Sequence, residues 1–263
     1  MSSGLITIIG FSIIFMMTAL GASLVFFFKK DISQSVNSFL LGIAGGIMVA
    51  ASIWSLIIPS IEMSEADYGK FAWFPAAISI ILGGIVLALL DKVVPHIHNG
   101  THQEEGPKSY ISKSMKLFFA VTLHNIPEGL AVGFAFGAAA VSGESAAFIS
   151  ALGLAIGIGI QNFPEGAAIS LPMKQVTGSS KKAFFFGMGS GAVEPLSAIA
   201  GYFLASHLIV LQPWLLAFSA GAMLFVVAED LIPDANISDN PHTGTWGFMI
   251  GFIIMMILDV ALG

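Results

Sequence analysis

The stretch LFFAVTLHNIPEGLAVGFAFGAAA, which runs from Leu117 to Ala140, decides the fold of this chain. It contains no lysine or arginine, and Glu128 is its only acidic residue. About 20 consecutive apolar residues are enough for a helix to cross a bilayer. The hexapeptide His124-Asn-Ile-Pro-Glu-Gly129 at its centre recurs in the next apolar run as Gln161-Asn-Phe-Pro-Glu-Gly166. The sequence therefore predicts two neighbouring membrane-spanning helices with the same polar motif near the middle of the bilayer.

The composition of the whole chain extends this prediction. Of its 263 residues, 56% are hydrophobic and 10% are charged, and the mean hydropathy is +0.89. An average globular domain is roughly a quarter charged. These values exclude a soluble enzyme, a disordered chain and a nucleic-acid-binding protein, which would need a basic face. The chain has no cysteine, which excludes disulfides, thiolate metal sites and cysteine nucleophiles.

Eight apolar runs are long enough to cross the membrane, and they predict one all-α transmembrane domain over residues 1–263. A polar loop over residues 91–116 separates the third run from the fourth. The eight predicted spans are Gly4–Phe28, Val36–Pro59, Phe71–Leu90, Leu117–Ala140, Ala146–Pro172, Ala183–Leu208, Pro213–Ile232 and Thr245–Leu262.

The distribution of lysine predicts how the chain is oriented. All ten basic residues are lysines, and the loops after spans 1, 3 and 5 hold nine of them. Because cytoplasmic loops are enriched in lysine and arginine, these loops are predicted to be cytoplasmic. Both termini then lie outside the cytoplasm, on the outer side of the cell membrane. The nine are Lys29, Lys30, Lys92, Lys108, Lys113, Lys116, Lys174, Lys181 and Lys182, with Lys70 on the other side.

Two internal repeats predict an inverted arrangement of the spans. The shared hexapeptides lie in spans 4 and 5, which run antiparallel. A weaker match relates Ala44-Gly-Gly-Ile-Met48 of span 2 to Ser219-Ala-Gly-Ala-Met223 of span 7. Spans 1–3 are therefore predicted to be inverted relative to spans 6–8, with spans 4 and 5 at the pseudo-two-fold axis. In such folds a binding site lies near the membrane midplane, where the repeats meet.

Three glutamates, Glu128, Glu165 and Glu194, lie well inside the predicted spans. A charged side chain at a helix centre costs about 2.5–3.5 kcal/mol on the insertion scale, so three cost on the order of 8–10 kcal/mol. No lysine lies deep enough in a span to pair with them. Protons or a bound cation must therefore neutralise these carboxylates.

The polar side chains around these glutamates share one depth and one helix face. At about 1.5 Å per residue, they all fall roughly 10–18 Å from the cytoplasmic ends of their spans. Residues three and four positions apart lie on the same face of a helix, which places each hexapeptide's polar residues together. A proline next to each acid bends the helix and releases a backbone carbonyl. The residues at this depth include His124, Glu128, Gln161, Glu165, Glu194 and Met48, and the prolines are Pro127, Pro164 and Pro195.

This set of side chains offers imidazole nitrogen, carboxylate oxygen, amide oxygen and the thioether of Met48. A mixed nitrogen and oxygen site suits Zn²⁺ and its neighbours Fe²⁺, Mn²⁺ and Cd²⁺, whereas all-oxygen sites suit Mg²⁺ or Ca²⁺. One divalent ion leaves a charge of about −1 on three carboxylates and two ions leave about +1. The charge count therefore does not choose between a mononuclear and a binuclear site.

At these residues the sequence resembles the ZIP family of metal transporters, and specifically its GufA-type branch. The resemblance rests on His124-Asn-x-Pro-Glu-Gly129, Gln161-Asn-x-Pro-Glu-Gly166 and Val193-Glu194-Pro195. The eight spans, the outward termini and the histidine-containing loop between spans 3 and 4 also match, so the resemblance covers the whole chain. It implies a transporter rather than an enzyme, one that moves divalent transition metals such as zinc into the cytoplasm, commonly as a homodimer.

The resemblance also implies where the metal binds and how it moves. It implies that spans 1, 4, 5 and 6 move as one block against spans 2, 3, 7 and 8. In many relatives the positions of Gln161 and Asn162 hold His and Asp; both are amides here, which weakens the charge of the ligand set. The implied first site is Met48, His124, Glu128, Gln161 and Glu165, and the adjacent second site is Asn125, Asn162, Glu165, Glu128 and Glu194.

Two other functions fit a buried cluster of acids and a histidine. An intramembrane metallo-hydrolase would also place His and Glu on a kinked helix, but the chain has no H-E-x-x-H motif and few bases to activate water. A proton- or sodium-coupled carrier of an organic solute would use the acids as ion relays. Such a carrier normally displays a charged group for its substrate, and no deep lysine exists here.

Several polar residues have a structural interpretation beside the functional one. Asn125 and Asn162 are either metal ligands or interhelical hydrogen-bonding groups, and Met48 is either a ligand or a packing residue. The loop histidines are either a solvated linker or a transient metal-capture site on the cytoplasmic side. Glu229 and Asp230 either line an exit path or end span 7, and Asp259 is predicted to be interfacial. The loop residues are His96, His98 and His102, with Glu104 and Glu105.

Overall fold

The computed structural model describes residues 2–27, 33–93, 96–97, 104–105, 113–235 and 242–262. These residues are helical apart from short turns and one antiparallel pair of two-residue strands, His96–Ile97 and Glu104–Glu105, between spans 3 and 4. Seven of the described helical segments are long and apolar enough to cross a membrane. The helix of span 4 is an eighth candidate, with 30 residues. At 1.5 Å per residue it is about 45 Å long, which is enough to cross a membrane. The predicted all-α membrane architecture is confirmed.

The described helices follow the eight predicted spans in order. Span 1 is Ser3–Ser23 with a 3₁₀ turn at Leu24–Phe26. Span 2 is Gln34–Ala51, a π-helical turn at Ser52–Ile57 and Ile58–Tyr68, followed by a 3₁₀ turn at Gly69–Phe71. Spans 3, 4 and 5 are Trp73–Val93, Lys113–Ser142 and Ser145–Thr177, and span 6 is Ser180–Gly191 with Val193–His207. A 3₁₀ turn at Ile209–Leu211 leads to span 7, which is Gln212–Val226, a π-helical turn at Val227–Leu231 and Ile232–Ala235, and span 8 is His242–Leu262.

Span 2 differs from its predicted bounds more than the other spans do. The sequence predicts its end at Pro59, but the helix continues to Tyr68. A proline inside an α-helix lacks an N–H and clashes with the carbonyl four residues earlier. In span 2 the wider π-helical turn ends two residues before Pro59 and accommodates the ring. The predicted end of span 1 at Phe28 lies outside the described residues.

The two π-helical turns occupy equivalent places in the inverted repeat. Each begins four residues after a repeated methionine, at Ser52 after Met48 and at Val227 after Met223. A proline follows closely in both cases, Pro59 in span 2 and Pro233 in span 7. The repeat read from the sequence is therefore visible in the helix geometry.

The packing of the spans has the same symmetry. Span 1 packs most extensively on span 5 and span 4 on span 6, while span 2 packs on span 8 and span 3 on span 7. In the inverted repeat, spans 1, 2, 3 and 4 correspond to spans 6, 7, 8 and 5. The pair of spans 1 and 5 therefore corresponds to the pair of spans 6 and 4, and the pair of spans 2 and 8 to the pair of spans 7 and 3. The spans thus form two groups, one of spans 1, 4, 5 and 6 and one of spans 2, 3, 7 and 8. Contacts between the two groups are less extensive.

Glycine allows close backbone contact inside the first group. A Cβ at Gly129 in span 4 would lie 2.3 Å from the carbonyl oxygen of Glu194, and one at Gly166 in span 5 would lie 2.0 Å from that of Thr18. These two glycines occupy the same place in the repeated hexapeptide. The outer surface of the spans carries exposed large apolar side chains, among them Met16, Ile81, Leu196 and Ile253, as lipid contact requires.

Candidate functional site

The polar residues of the two hexapeptides meet in the interior of the first helix group. Asn125, Glu128, Gln161 and Asn162 are at most 1% exposed, and Glu165 is 8% exposed. Spans 4 and 5 carry all five, and the prolines at positions 127 and 164 lie inside continuous helices. The repeated motif therefore folds into one buried cluster, as its spacing predicts.

Glu128 and Gln161 link spans 4 and 5 directly. The Gln161 amide donates from Nε2 to Glu128 Oε1 at 2.7 Å. The Glu128 carboxylate also lies within electrostatic reach of Glu165 and Glu194. Three buried acids this close together need protons or a bound cation to neutralise their charge. The amide of Gln161 supplies only a partial positive charge.

Glu194, at the start of the second helix of span 6, is fully buried. Its Oε1 accepts hydrogen bonds from Thr18 Oγ1 at 3.0 Å and from Asn125 Nδ2 at 3.1 Å. Its Oε2 accepts a short hydrogen bond from Asn162 Nδ2. The structure therefore brings all three predicted glutamates together, and it connects Glu194 to spans 1, 4 and 5.

Five oxygen atoms of this cluster are buried and have no hydrogen-bond partner among the residues that the structure describes. Every one is an acceptor from a carboxylate or an amide carbonyl. Unpaired buried acceptors are costly, and a cation is a partner that satisfies acceptors alone. The five atoms are Asn125 Oδ1, Glu128 Oε2, Gln161 Oε1, Asn162 Oδ1 and Glu165 Oε2.

His124 contacts a partner that the sequence did not predict. Its Nε2 lies 3.2 Å from Oδ2 of Asp230, in the π-helical turn of span 7. Within the described part of the chain, no three His, Asp or Glu side chains lie close enough together to hold a metal ion. The neighbouring Glu229 is exposed.

Met48 is buried in the apolar core, as is its repeat counterpart Met223. Its role as a ligand stays a prediction. Of the loop histidines, His98 and His102 lie outside the described residues, and the structure gives only the backbone of His96, which pairs with Glu105 in the short strand ladder. The metal-capture interpretation of this loop also stays a prediction.

A second polar contact lies toward the opposite end of the spans. Ser55, in the π-helical turn of span 2, donates a short hydrogen bond to Oδ1 of Asp259 in span 8. Asp259 is 8% exposed, so it is buried against span 2, and its position at the membrane interface stays a prediction. The hydrogen-bond partner of its buried carboxylate is the hydroxyl of Ser55, which lies 204 residues away in the sequence. A cavity of about 320 Å³ is lined by Ser55 together with Glu62 and Glu144.

Sequence reasoning missed Thr18, Ser55 and the pairing of Asp230 with His124. Thr18, Ser55 and Asp230 do not belong to a repeated motif, so their neighbours along the chain give no signal. The inverted repeat could have identified Thr18, because span 1 is the counterpart of span 6. The carbonyl of Thr18 packs against Gly166 as the carbonyl of Glu194 packs against Gly129.

Inverted repeats, proline-interrupted helices and a buried polar cluster where the repeats meet are typical of the architecture of secondary transporters. The family model of the ZIP zinc transporters matches residues 5–116 and 101–259 of this chain. The chain belongs to the ZIP zinc transporter family.

Individual relatives agree with this assignment. Zinc transporter ZIP11 of Homo sapiens is 36% identical, with 94% of each chain covered, and Zinc transporter GufA of Myxococcus xanthus is 32% identical, again with 94% of each. Zinc transporter ZIPB of Bordetella bronchiseptica is 33% identical over 95% of this chain and 79% of its own. The members of this family are membrane-embedded metal transporters and not enzymes, so the metallo-hydrolase alternative is wrong.

Proposed function

We propose that this protein carries divalent transition-metal ions, zinc foremost, across the cell membrane into the cytoplasm. The observation that carries the proposal is the group of five buried, unpaired oxygen atoms on spans 4 and 5. The relatives named as zinc transporters share most of their length with this chain. Cd²⁺, Fe²⁺ and Mn²⁺ have similar ligand preferences and are proposed as further substrates.

The ligands of the transport site are proposed to be Glu128, Gln161 and Glu165, with His124 joining when its contact with Asp230 opens. Carboxylate oxygen and imidazole nitrogen together suit zinc, while the amides keep the ligand charge low. A site of low charge releases its ion more readily, which transport requires. An organic-solute carrier has no comparable support, because the described cluster presents acceptors and no cationic side chain.

Movement of the ion is proposed to follow from the two groups of spans. The ligands on spans 4 and 5 belong to the group of spans 1, 4, 5 and 6, and the polar contacts on either side involve the other group. Ser55 and Asp259 lie toward the outer ends of spans 2 and 8 in the proposed orientation, and Asp230 lies toward the cytoplasmic end of span 7. Displacement of one group against the other would expose the ligands to each side in turn. A homodimer in the lipid bilayer is proposed as the working unit.

Uptake of ⁶⁵Zn²⁺ by intact cells and by proteoliposomes tests this function. Cells that produce the protein should accumulate more zinc than cells with an empty vector, which tests the direction. In proteoliposomes, replacement of Glu128 or Glu165 by alanine should abolish uptake, because each substitution removes an anionic ligand. Glu65→Ala is the matched control, since Glu65 is exposed at the outer end of span 2 and should not affect uptake.

Retention of both zinc binding and zinc uptake in the Glu128→Ala and Glu165→Ala proteins would refute the proposed site. If the wild-type protein moved a labelled organic solute and no metal, the transported substrate would be wrong instead. Competition by unlabelled Cd²⁺, Fe²⁺ and Mn²⁺ in the same assay ranks the further substrates.

A further inference from the structure

The part of span 2 that follows its π-helical turn is less firmly packed than the part before it. In the first helix, Gln34–Ala51, nine of the 18 residues are buried. In the outer segment, Ile58–Tyr68, only two of the 11 residues are buried, and both are serines. A region with few buried apolar contacts opens more easily than a densely packed one. The outer segment can therefore move more readily than the helix that precedes it.

The two buried serines form hydrogen bonds, one of which reaches span 7. Ser60 donates from Oγ to the carbonyl oxygen of Pro213 at 2.7 Å. Ser64 donates within its own helix, to the carbonyl oxygen of Ser60 at 2.8 Å. A typical hydrogen bond contributes only about 0.5–1.5 kcal/mol to stability. The contact between Ser60 and Pro213 is weak enough to break and re-form in a transport cycle.

The π-helical turn before the outer segment is a point where span 2 can bend. The amide of Ile58 bonds to the carbonyl of Ile53, five residues earlier, so the turn is wider than an α-helical one. Pro59 follows Ile58 directly and has no N–H, so a carbonyl of the turn loses its helical donor. Sharp bends in helices occur at π-helical turns and at prolines, and span 2 has the two side by side.

The outer segment also forms one wall of the cavity of about 320 Å³. Pro59, Glu62 and Met63 line the cavity from the outer segment, while Glu144 and Ser150 line it from the start of span 5. These two walls belong to the two different groups of spans. Bending of the outer segment toward span 5 would close the cavity, and bending away from span 5 would open it to the solution.

The inverted repeat places a matching turn in span 7. There the amide of Ile232 bonds to the carbonyl of Val227, also five residues earlier, and Pro233 follows directly. Ile232 and Ala235 line a second cavity, of about 150 Å³, together with residues of spans 2 and 8. In both spans the segment beyond the π-helical turn therefore borders a cavity. A wide turn, a proline and a cavity recur together, on opposite sides of the membrane in the proposed orientation.

We propose that the π-helical turn Ser52–Ile57 is a hinge, and that the outer segment swings about it to open and close the outer cavity. This inference rests on the proposed transport function and adds a movement inside the group of spans 2, 3, 7 and 8. Displacement of the two groups as rigid blocks keeps the contact between Ser60 and Pro213, because both residues belong to one group. Swinging of the outer segment breaks that contact, so the two movements can be distinguished.

The experiment cross-links the outer segment to its own group. The protein has no cysteine, so the pair Ser60→Cys with Pro213→Cys can be joined specifically by a short, reducible bis-methanethiosulfonate. In proteoliposomes the cross-linked protein should take up ⁶⁵Zn²⁺ about 10-fold more slowly than before cross-linking, because closure and opening of such a segment limit turnover. Reduction should restore uptake. Zinc binding by the cross-linked protein, measured by equilibrium dialysis in detergent, should match that of the wild type.

The pair Gly84→Cys with Phe225→Cys is the matched control. A Cβ at Gly84 would lie 4.0 Å from the Cβ of Phe225, which is a suitable separation for joining two cysteines. This pair links spans 3 and 7 inside the same group and leaves the outer segment free. Its cross-linking should not change zinc uptake.

The other outcomes decide against the hinge or against the transport function. Unchanged uptake after cross-linking positions 60 and 213 would overturn the hinge, because rigid groups would then suffice. Loss of uptake in both cross-linked pairs would also overturn it, since the whole group would have to flex. A wild type that takes up no zinc refutes the transport function itself.

Pro59→Ala decides if the cysteine pair at positions 60 and 213 does not fold, does not cross-link or loses zinc binding. Alanine supplies the missing N–H and stiffens the hinge, so we expect uptake to be about 2- to 5-fold slower. Zinc uptake by Pro59→Ala at the wild-type rate refutes the hinge.

Discussion

A single nitrogen of His124 contacts Asp230, and the proposed metal ion would compete for the same atom. Nε2 lies 3.2 Å from Asp230, and the two residues belong to different groups of spans, span 4 in one and span 7 in the other. Nε2 carries either a hydrogen, which it donates to Asp230, or a free lone pair, which a metal ion requires, so it cannot bind both partners together. Coordination of the ion through Nε2 would therefore release a contact between the two groups.

Asp230→Asn tests this competition. With the carboxylate removed, we expect zinc to bind several-fold more tightly in detergent and to be transported more slowly, because His124 is no longer drawn away from the ion. The measurements are the Kd from dialysis and the initial rate of ⁶⁵Zn²⁺ uptake. Glu229→Gln is the control, as its side chain is exposed. Weaker binding by Asp230→Asn would contradict the competition and indicate that the ion binds Nδ1, with Asp230 supporting the ring.

Within the cluster, the sequence predicts most directly the pairs of residues that share a helix. Glu128 and Asn125 are three residues apart, as are Glu165 and Asn162, so helical geometry alone places each pair. Thr18 and Asp230 reach the cluster from other spans, and no local spacing encodes those contacts. The same limit applies to Ser55 and Asp259, which are separated by 204 residues.

At the scale of single helices, the glycine of each hexapeptide is required for close packing. A Cβ at position 166 would lie 2.0 Å from the carbonyl oxygen of Thr18 and 2.8 Å from the amide nitrogen of Ala22. Both are backbone atoms of span 1, so neither can move aside without the whole helix. The packing of span 5 on span 1 therefore depends on having no side chain at position 166.

Gly166→Ala should lower stability by about 1–3 kcal/mol, the usual cost of overpacking. The readout is the midpoint of thermal unfolding in detergent. Gly189→Ala is a matched control in span 6, because among the described residues a Cβ there would meet only the ring of Phe118, at 4.0 Å. The control should be neutral or gain up to about 1 kcal/mol from the better helix former. Equal midpoints for the two variants would contradict the packing argument.

Prolines show where helix bounds cannot be read from a sequence. Pro127 and Pro164 were expected to bend their helices without ending them, and both lie inside helices as expected. Pro59 was expected to end span 2 and does not. The difference is the π-helical turn at Ser52–Ile57, which no residue type specifies on its own.

Across the whole molecule, the two groups of spans meet through side chains as well as through the His124 contact. A Cβ at Gly157 in span 5 would lie 2.1 Å from the sulfur of Met255 in span 8 and 3.7 Å from Ile47 in span 2. Met255 is fully buried. At this point the group of spans that carries the proposed ligands therefore fits closely against the other group.

Gly157→Ala should slow zinc uptake while leaving zinc binding intact, because the added methyl group obstructs displacement of one group against the other. The double variant Gly157→Ala with Met255→Ala should recover part of the uptake, since the shorter side chain restores the space. Both are measured in proteoliposomes at saturating zinc. Uptake by Gly157→Ala at the wild-type rate would argue against relative movement at this contact.

The orientation of the molecule in the membrane is predicted from its lysines, and its lack of cysteine makes the prediction easy to test. Ser3, Glu144 and Lys181 are all exposed at the ends of spans. By the positive-inside rule, Ser3 and Glu144 lie outside the cytoplasm and Lys181 inside.

Each single-cysteine variant is treated in intact cells with a membrane-impermeant maleimide. Ser3→Cys and Glu144→Cys should react at once, whereas Lys181→Cys should react only after the membrane is permeabilised, because the reagent cannot reach the cytoplasm. Zinc uptake by each variant confirms that the labelled protein is folded. The reverse pattern would invert the molecule in the membrane. The side from which zinc reaches the Glu128 cluster would then be reversed as well, and the proposed direction of transport would lose its support.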